Sequence, residues 1–284
     1  MARAAEIAAQ ITSLKELTDI IAAIRTMAAA QMRQSVRTLD AVRDYTEIVR
    51  QALAEAEALI LPDGDNLSRS AVSNPGLVVF YAEHGFCGAF NEPLIRAAAE
   101  AARRETNLHL IFVGTRGAQR AVEHGLQSDM TLAMASHGGG LSAVVRRLAA
   151  ELYRMFIEKT ISSVDVLYAR EFSGRQTTLQ RLRLLPLENP TPERHRSEIP
   201  PLLNMNPREL RDVLAAEYMF AILEAAAVES FASENAARFR TMEVAHENIE
   251  RKSSELERLA HRVRQEAVTA EILEIISGAE AMNQ

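Results

Sequence analysis

Three groups of residues in this 284-residue chain have types and spacing that could do chemistry. The first is Gly85, Phe86, Cys87, Gly88, Ala89, Phe90 and Asn91, a glycine-bracketed turn between an apolar β-branched run and a helical one. Strand–turn–helix is the topology of a phosphate-binding loop, in which backbone N–H groups and a helix N-terminus hold the anion. The third glycine of a dinucleotide fingerprint is missing, and the Gly-Lys-Ser/Thr of a nucleotide-hydrolase loop occurs nowhere in the chain. A tight turn feeding a helix capped by Asn91 accounts for the same residues. The second group, His137 with Gly138, Gly139 and Gly140, has the composition of an esterase oxyanion loop, but no Gly-x-Ser-x-Gly elbow supplies a nucleophile. A loop before a helix opening at Ser142 is the simpler expectation. The third group is the seven histidines at 84, 109, 124, 137, 195, 246 and 261, which show no metal-ligand spacing. With Cys87 as the one cysteine, neither a thiolate zinc site nor an internal disulfide can form. No self-sufficient catalytic set and no cofactor site emerges.

The elements that would position these residues are dominated by two very long helical runs. From about Ala4 to Ile60 there is no glycine or proline, and apolar residues recur at Ile7, Ile11, Leu14, Leu17, Ile21, Ile24, Ala28, Met32, Val36, Leu39, Val42, Tyr45, Val49 and Leu53. The steps of three and four average near 3.5 residues, the period of a left-handed coiled-coil seam. From Arg208 to Ser277 the pattern repeats through Leu210, Leu214, Tyr218, Ala221, Ala225, Val228, Ala232, Ala236, Phe239, Met242, Ala245 and Ile249, and resumes at Leu256, Leu259 and Val263. Such a run reaches roughly 105 Å as a helix and needs a partner of similar length. Asn206 followed by Pro207 and Glu209 gives it a well-formed start. The two runs are expected to pair antiparallel within one chain, with small residues permitting close approach.

Between them lies an alternation of strands and helices. Pro62 to Asp65 break the first helix and a polar linker follows to Pro75. Strands are expected at 76–82, 108–113, 130–135, 164–172 and 178–187, with a hairpin around Ser173 and Gly174, and helices at 91–104, 116–123 and 142–159. That order implies a largely parallel sheet. The expected fold class is α+α/β, a long antiparallel coiled coil of N- and C-terminal helices with an inserted Rossmann-like α/β domain. The expected segments are 1–61, 62–206 and 207–284, with the core of the α/β domain separate from the helices.

Composition narrows the function classes. The 48% hydrophobic content supports one ordinary domain plus long helices, and a net charge of −6 disfavours nucleic acid and anionic lipid as partners. The single cysteine suits a reducing compartment. Met1 to Glu6 lack a secretory apolar region, and no uninterrupted apolar stretch reaches the roughly 18 residues of a membrane span.

The long helix, the Gly-x-Cys-Gly-x-Phe-Asn turn, the Leu184-Leu185-Pro186-Leu187 strand end and the second long helix occur here in an order that resembles the gamma subunit of F-type ATP synthases. The resemblance covers essentially the whole length. It is strongest from Ser233, Glu234, Asn235, Ala236, Ala237 and Arg238 through Met242 and Asn248 to Arg264, Gln265, Thr269, Glu271, Glu274 and Gly278, and it includes Met27, Ala28, Ala29, Ala30 and Met32. It implies a non-catalytic central-stalk rotor that couples rotation of a membrane ion-translocating ring to sequential change at the catalytic sites around it. The implied partners are the alpha and beta subunits of the catalytic ring, the epsilon subunit and the membrane c-ring. The implied location is peripheral, on the cytoplasmic side of a bacterial inner membrane, without direct insertion, nucleic acid or cofactor. By resemblance, Arg25, Met27, Arg33, Arg238, Arg264, Gln265, Thr269, Glu271 and Ile275 face the catalytic ring, while His195, Arg196, Ser197 and Asn206 lie on the foot toward the membrane ring. The chain departs from the family in its first helix, where basic positions are taken by Ala8, Ala9, Gln10, Ala23, Thr26 and Gln31, leaving Lys15, Arg25 and Arg33.

The residues themselves support this at one place. Ala267, Val268, Ala270, Ile272, Leu273, Ile275 and Ile276 project to nearly all sides of a helix at ~100° per residue. A helix apolar all round is an enclosed helix, whether by a surrounding ring or by another copy. Two other classes stay open: a homodimerising coiled-coil adaptor with an α/β head, and an α/β enzyme with a ligand near Gly85 to Asn91.

Overall fold

A computed structural model describes residues 2–60, 74–172, 176–187 and 203–282. The chain divides into two compact units, one of residues Ala28–Arg238 and one of Met1–Met27 with Phe239–Gln284. Two helices contribute to both, α1 (Ala2–Ala58) and α5 (Pro207–Met282). Helix α5 begins as its sequence requires. The Asn206 side-chain oxygen accepts the N–H of Arg208 at 2.9 Å, its carbonyl accepts that of Leu210 at 2.9 Å, and Pro207 fills the first position, where no N–H is needed.

Within residues 28–238 lies a five-stranded sheet of order β3-β2-β1-β4-β5. Its strands are β1 (Pro75–Phe80), β2 (His109–Val113), β3 (Met130–Leu132), β4 (Ser163–Phe172) and β5 (Gln176–Leu185). The first four run parallel, with Leu77 beside both Leu110 and Asp165, and β5 closes one edge antiparallel with Val166 beside Leu182. Crossovers are made by α2 (Asn91–Arg104), α3 (Thr115–Glu123) and α4 (Leu141–Ile157). Gly138–Gly140 form one 3-10 turn into α4. Strand β3 stops earlier than its apolar run predicts because the N–H of Met134 donates to the carboxylate of Glu83 at 2.7 Å and leaves the ladder. The expected helix break at Pro62 to Asp65, nearly all of the linker before Pro75, and the hairpin turn at Ser173 and Gly174 lie outside the described residues.

Central strand β1 is buried on both faces, as its continuous apolar sequence requires. Leu77, Val79 and Tyr81 pack with Leu94, Ile95 and Ala98 of α2. Val78 and Phe80 share a second cluster with Val145, Leu148 and Leu152 of α4, but also with Leu39 of α1 and Leu223, Ala226, Ala227 and Phe231 of α5. The expectation of a separate α/β core is therefore corrected: α1 and α5 supply part of it. This is why almost every α5 residue from Met219 to Arg238 is buried or half-buried. The alanines that looked like seam residues are small because two sides of the helix are covered there.

Burial along α1 also refines the expected stripe. In the smaller unit Ile7 is buried and Ile11, Leu14, Thr18, Ile21 and Arg25 are half-buried. In the larger unit Ala28, Met32, Ser35, Leu39, Val42, Thr46, Val49 and Leu53 continue with steps of four and three. Leu17, Val36 and Tyr45, assigned to the stripe on apolarity, are 47%, 51% and 42% exposed. Their places are taken by Thr18, Ser35 and Thr46, whose hydroxyls donate to the carbonyls of Leu14, Gln31 and Val42 at 2.9, 2.9 and 2.7 Å. A hydroxyl satisfied on its own helix can be covered without an orphaned donor.

Candidate functional site

The turn after β1 is where the sheet's first parallel strand meets α5. Phe86 and Gly88 have φ of +61° and +56°, so the chain reverses through two left-handed residues, and the Phe86 side chain stands 67% exposed. Asn91 does not cap α2. It is buried, accepts the N–H of Ala82 at 3.0 Å through Oδ1 and directs Nδ2 to the Cys87 sulfur at 3.9 Å, tying the end of β1 to the helix start. A Cβ at Gly117 would lie 2.6 Å from that Oδ1 and 2.4 Å from the Cβ of Tyr81, so only glycine lets α3 approach this closely. Burial pushes the Cys87 thiol above its ordinary range.

Arg238, expected on the partner-facing surface, is 7% exposed and engaged inside the chain. Nε donates to the Gly85 carbonyl at 3.1 Å, Nη2 to the His84 carbonyl at 3.2 Å and to Glu234, and Nη1 to Asn235 Oδ1 at 2.9 Å. The Glu234 carboxylate accepts the N–H groups of Glu83 and His84, each at 3.4 Å. Glu83 in turn accepts the N–H and hydroxyl of Thr115 at 2.9 and 2.8 Å. Earlier on α5, buried Glu229 meets Arg43 of α1 and Arg170 of β4, the latter at 3.5 Å. Tyr168 beside it is pushed up to about 12, first by burial and then by the Glu229 charge. Glu224 accepts the hydroxyl of Ser142 at the start of α4 at 2.7 Å, and Glu217 that of Tyr45. Four carboxylates of α5 thus fasten four other pieces of this unit. None received a role from sequence. The readable signal was acidic residues spaced through an otherwise small and apolar stretch, with Glu234 and Arg238 at helical i, i+4 spacing.

The remaining expected partner residues sit as follows. Arg25 is half-buried, and its Nη1 lies 3.3 Å from both carboxylate oxygens of Glu243 within the smaller unit. Met27 is 61% exposed and Arg33 is exposed. Arg264, Gln265 and Thr269 are exposed near the end of α5, where the Thr269 hydroxyl donates to the Gln265 carbonyl at 2.9 Å. Gln265 and Thr269 line one open surface with Arg262, Glu266, Ala270 and Leu273. Glu271 and Ile275 are helical in backbone, and their side chains lie outside the described residues. Val268, Ile272 and Leu273 are all at least half exposed. Asn206 is used as the α5 cap, while His195, Arg196 and Ser197 lie outside the described residues. No described helix is long and apolar enough to cross a membrane.

Comparison with known proteins places these features in a family. A family model described as ATP synthase matches residues 3–282. The ATP synthase gamma chain of Acidithiobacillus ferrooxidans is 30% identical over 297 residues, covering 99% of this chain and 100% of that one. The ATP synthase gamma chain of Moorella thermoacetica is 27% identical over 285 residues, again covering 99% and 100%. Among solved structures, a chain of the mitochondrial ATP synthase of Euglena gracilis in rotational state 3 superposes with a TM-score of 0.68 at 20% identity, covering 99% of this chain and 95% of that one. A chain from the rotor of that enzyme in rotational state 1 gives 0.64 at 18% identity, covering 94% and 99%. With a family model spanning residues 3–282 and a relative 30% identical along essentially both chains, this chain belongs to the ATP synthase gamma chain family.

Proposed function

We propose that the chain is the central-stalk rotor of an F-type ATP synthase, turning within a ring of alpha and beta subunits and resting on a membrane c-ring with an epsilon subunit beside it. It performs no catalysis. It works by presenting a different face to each of several chemically equivalent sites, so that each site is biased toward a different conformation. Membership of the gamma chain family carries this function. The single structural observation that fits it best is the exposed apolar end of α5: Val268, Ile272 and Leu273 are half exposed or more in the chain alone. An apolar surface of that kind calls for a surrounding partner. A sleeve without strong specific bonds suits a part that must rotate.

In this proposal α1 and α5 form an antiparallel coiled coil and 62–206 form the foot. Support comes from the alternating steps of four and three in buried α1 positions and from pairings such as Arg25 with Glu243 and Arg43 with Glu229, in which the partner number falls as the α1 number rises. Arg25, Met27, Arg33, Arg264, Gln265, Thr269, Glu271 and Ile275 face the catalytic ring. Arg238 acts from inside, by holding the 83–88 turn. His195, Arg196, Ser197 and Asn206 lie toward the c-ring; membership of a family with bacterial relatives supports a peripheral place on the cytoplasmic side of a bacterial inner membrane.

The test is to purify the tagged chain from its own cells under non-denaturing conditions and weigh the assembly. One copy of the chain with several copies of two larger nucleotide-binding subunits is expected. A homodimer free of those subunits would replace the rotor with a coiled-coil adaptor.

A further inference from the structure

We propose that the turn following β1 is an anion-holding cradle whose resident anion is the carboxylate of Glu234, supplied by α5 in place of an external phosphate or carboxylate ligand. The location is the one where open α/β sheets bind ligands: the carboxyl end of a central parallel strand, between neighbours reached by crossovers in opposite directions. Here β2 lies on one side of β1 and β4 on the other. In ligand-binding members of this architecture the N–H groups just past the strand point at a phosphate. In this chain the N–H groups of Glu83 and His84 point at the two oxygens of Glu234.

Three further observations make the carboxylate a built-in occupant. Glu234 is 2% exposed, a position in which an ionised carboxylate persists only with compensating partners. Arg238, one turn later, supplies the counter-charge and ties the same turn by the carbonyls of His84 and Gly85. One turn earlier, buried Ser230 lies with its hydroxyl 3.4 Å from the carbonyl of Phe80, the last residue of β1. Three successive turns of α5 thus fill the open end of the sheet. The N–H groups of Glu83 and His84, just past the strand, are taken by Glu234 and so are not offered to an outside anion. The left-handed conformation at Phe86 is held from α5, because such a conformation in a bulky residue persists only where its surroundings over-determine it.

Hydrogen exchange on the full-length chain tests this by following the peptide 82–91 in the wild type, Glu234→Ala and Glu234→Gln. Measurements are made with sodium formate and with sodium chloride at equal ionic strength. Loss of a charge-assisted anchor should speed exchange of the Glu83 and His84 amides about tenfold in Glu234→Ala. Formate, a free carboxylate small enough for the vacated space, should restore protection saturably, and chloride should not. Glu234→Gln should stay faster than wild type, because it keeps the size without the charge. Wild-type exchange in either variant, or equal restoration by chloride and formate, overturns the proposal. If Glu234→Ala loses its helical signal, Glu234→Gln decides alone, with full protection counting against the cradle and lost protection for it.

Discussion

Glu229 sits where three elements meet and is only 6% exposed, so little water can compensate for a lost partner. Arg43 and Arg170 approach it from α1 and β4, and both arginines keep part of their hydration. Glu229→Ala should therefore cost about 1–3 kcal/mol, less than a wholly buried pair, because the freed guanidiniums can turn to solvent. Urea unfolding of the full chain checks this, and an unchanged midpoint with an unchanged slope would show that the ion pairs contribute nothing net. The cap expected at Asn91 is not formed, and Arg238, expected by resemblance to face a partner, is engaged inside the chain. An arginine on a long helix looks like a surface group until the turn that wraps it is known. An asparagine before a helix looks like a cap until its oxygen is found on Ala82. The Asn91 role depends on how the short loop from Ala82 folds back on it, and the Arg238 role on the carbonyls of His84 and Gly85, far away in the chain; neither leaves a local pattern.

At the scale of elements, period and punctuation carried most of the fold. Bounds of α2 follow from Asn91 and the charged end at Arg103 and Arg104, and β1, β2 and β4 from apolar runs closed by polar or turn residues. The stripe of α1 was legible in period and, at most positions, in phase; it slipped by one residue at Leu17, Val36 and Tyr45, because polar Thr18, Ser35 and Thr46 beside them have hydroxyls silenced by their own helix. A paired comparison tests the phase. Leu17→Asp should change stability by no more than about 0.5 kcal/mol, whereas Ile21→Asp should cost several kcal/mol by covering an unpaired charge. Equal effects would mean that α1 is covered on a different face. The shared core was not legible at all, since nothing in the local pattern of Leu223, Ala227 or Phe231 says whether a helix or a sheet covers them. Residues 74–187 expressed alone should consequently bind a hydrophobic dye and give no cooperative thermal transition, because Val78, Phe80 and Leu148 lose the α5 side chains above them. A sharp transition by calorimetry would restore a self-sufficient α/β core.

As a whole molecule, the chain is a non-catalytic rotor that changes the state of its neighbours by turning. Thr269 is exposed, and among the described residues its hydroxyl bonds to its own helix, which leaves its outer side for a ring subunit. Thr269→Val together with Glu271→Ala should lower ATP turnover of the reconstituted complex severalfold while the free chain keeps its helical signal; full turnover would remove these residues from the contact. Rotation of the chain within the ring can be watched directly. A probe attached through Arg103→Cys, an exposed position at the end of α2, would report on the chain while the alpha and beta ring is fixed to a surface. On addition of ATP the probe should turn continuously in one direction, pausing as many times per turn as the ring has catalytic sites, and stop when ATP is withdrawn. A probe that stays still while the same complexes hydrolyse ATP at their full rate would contradict the rotor.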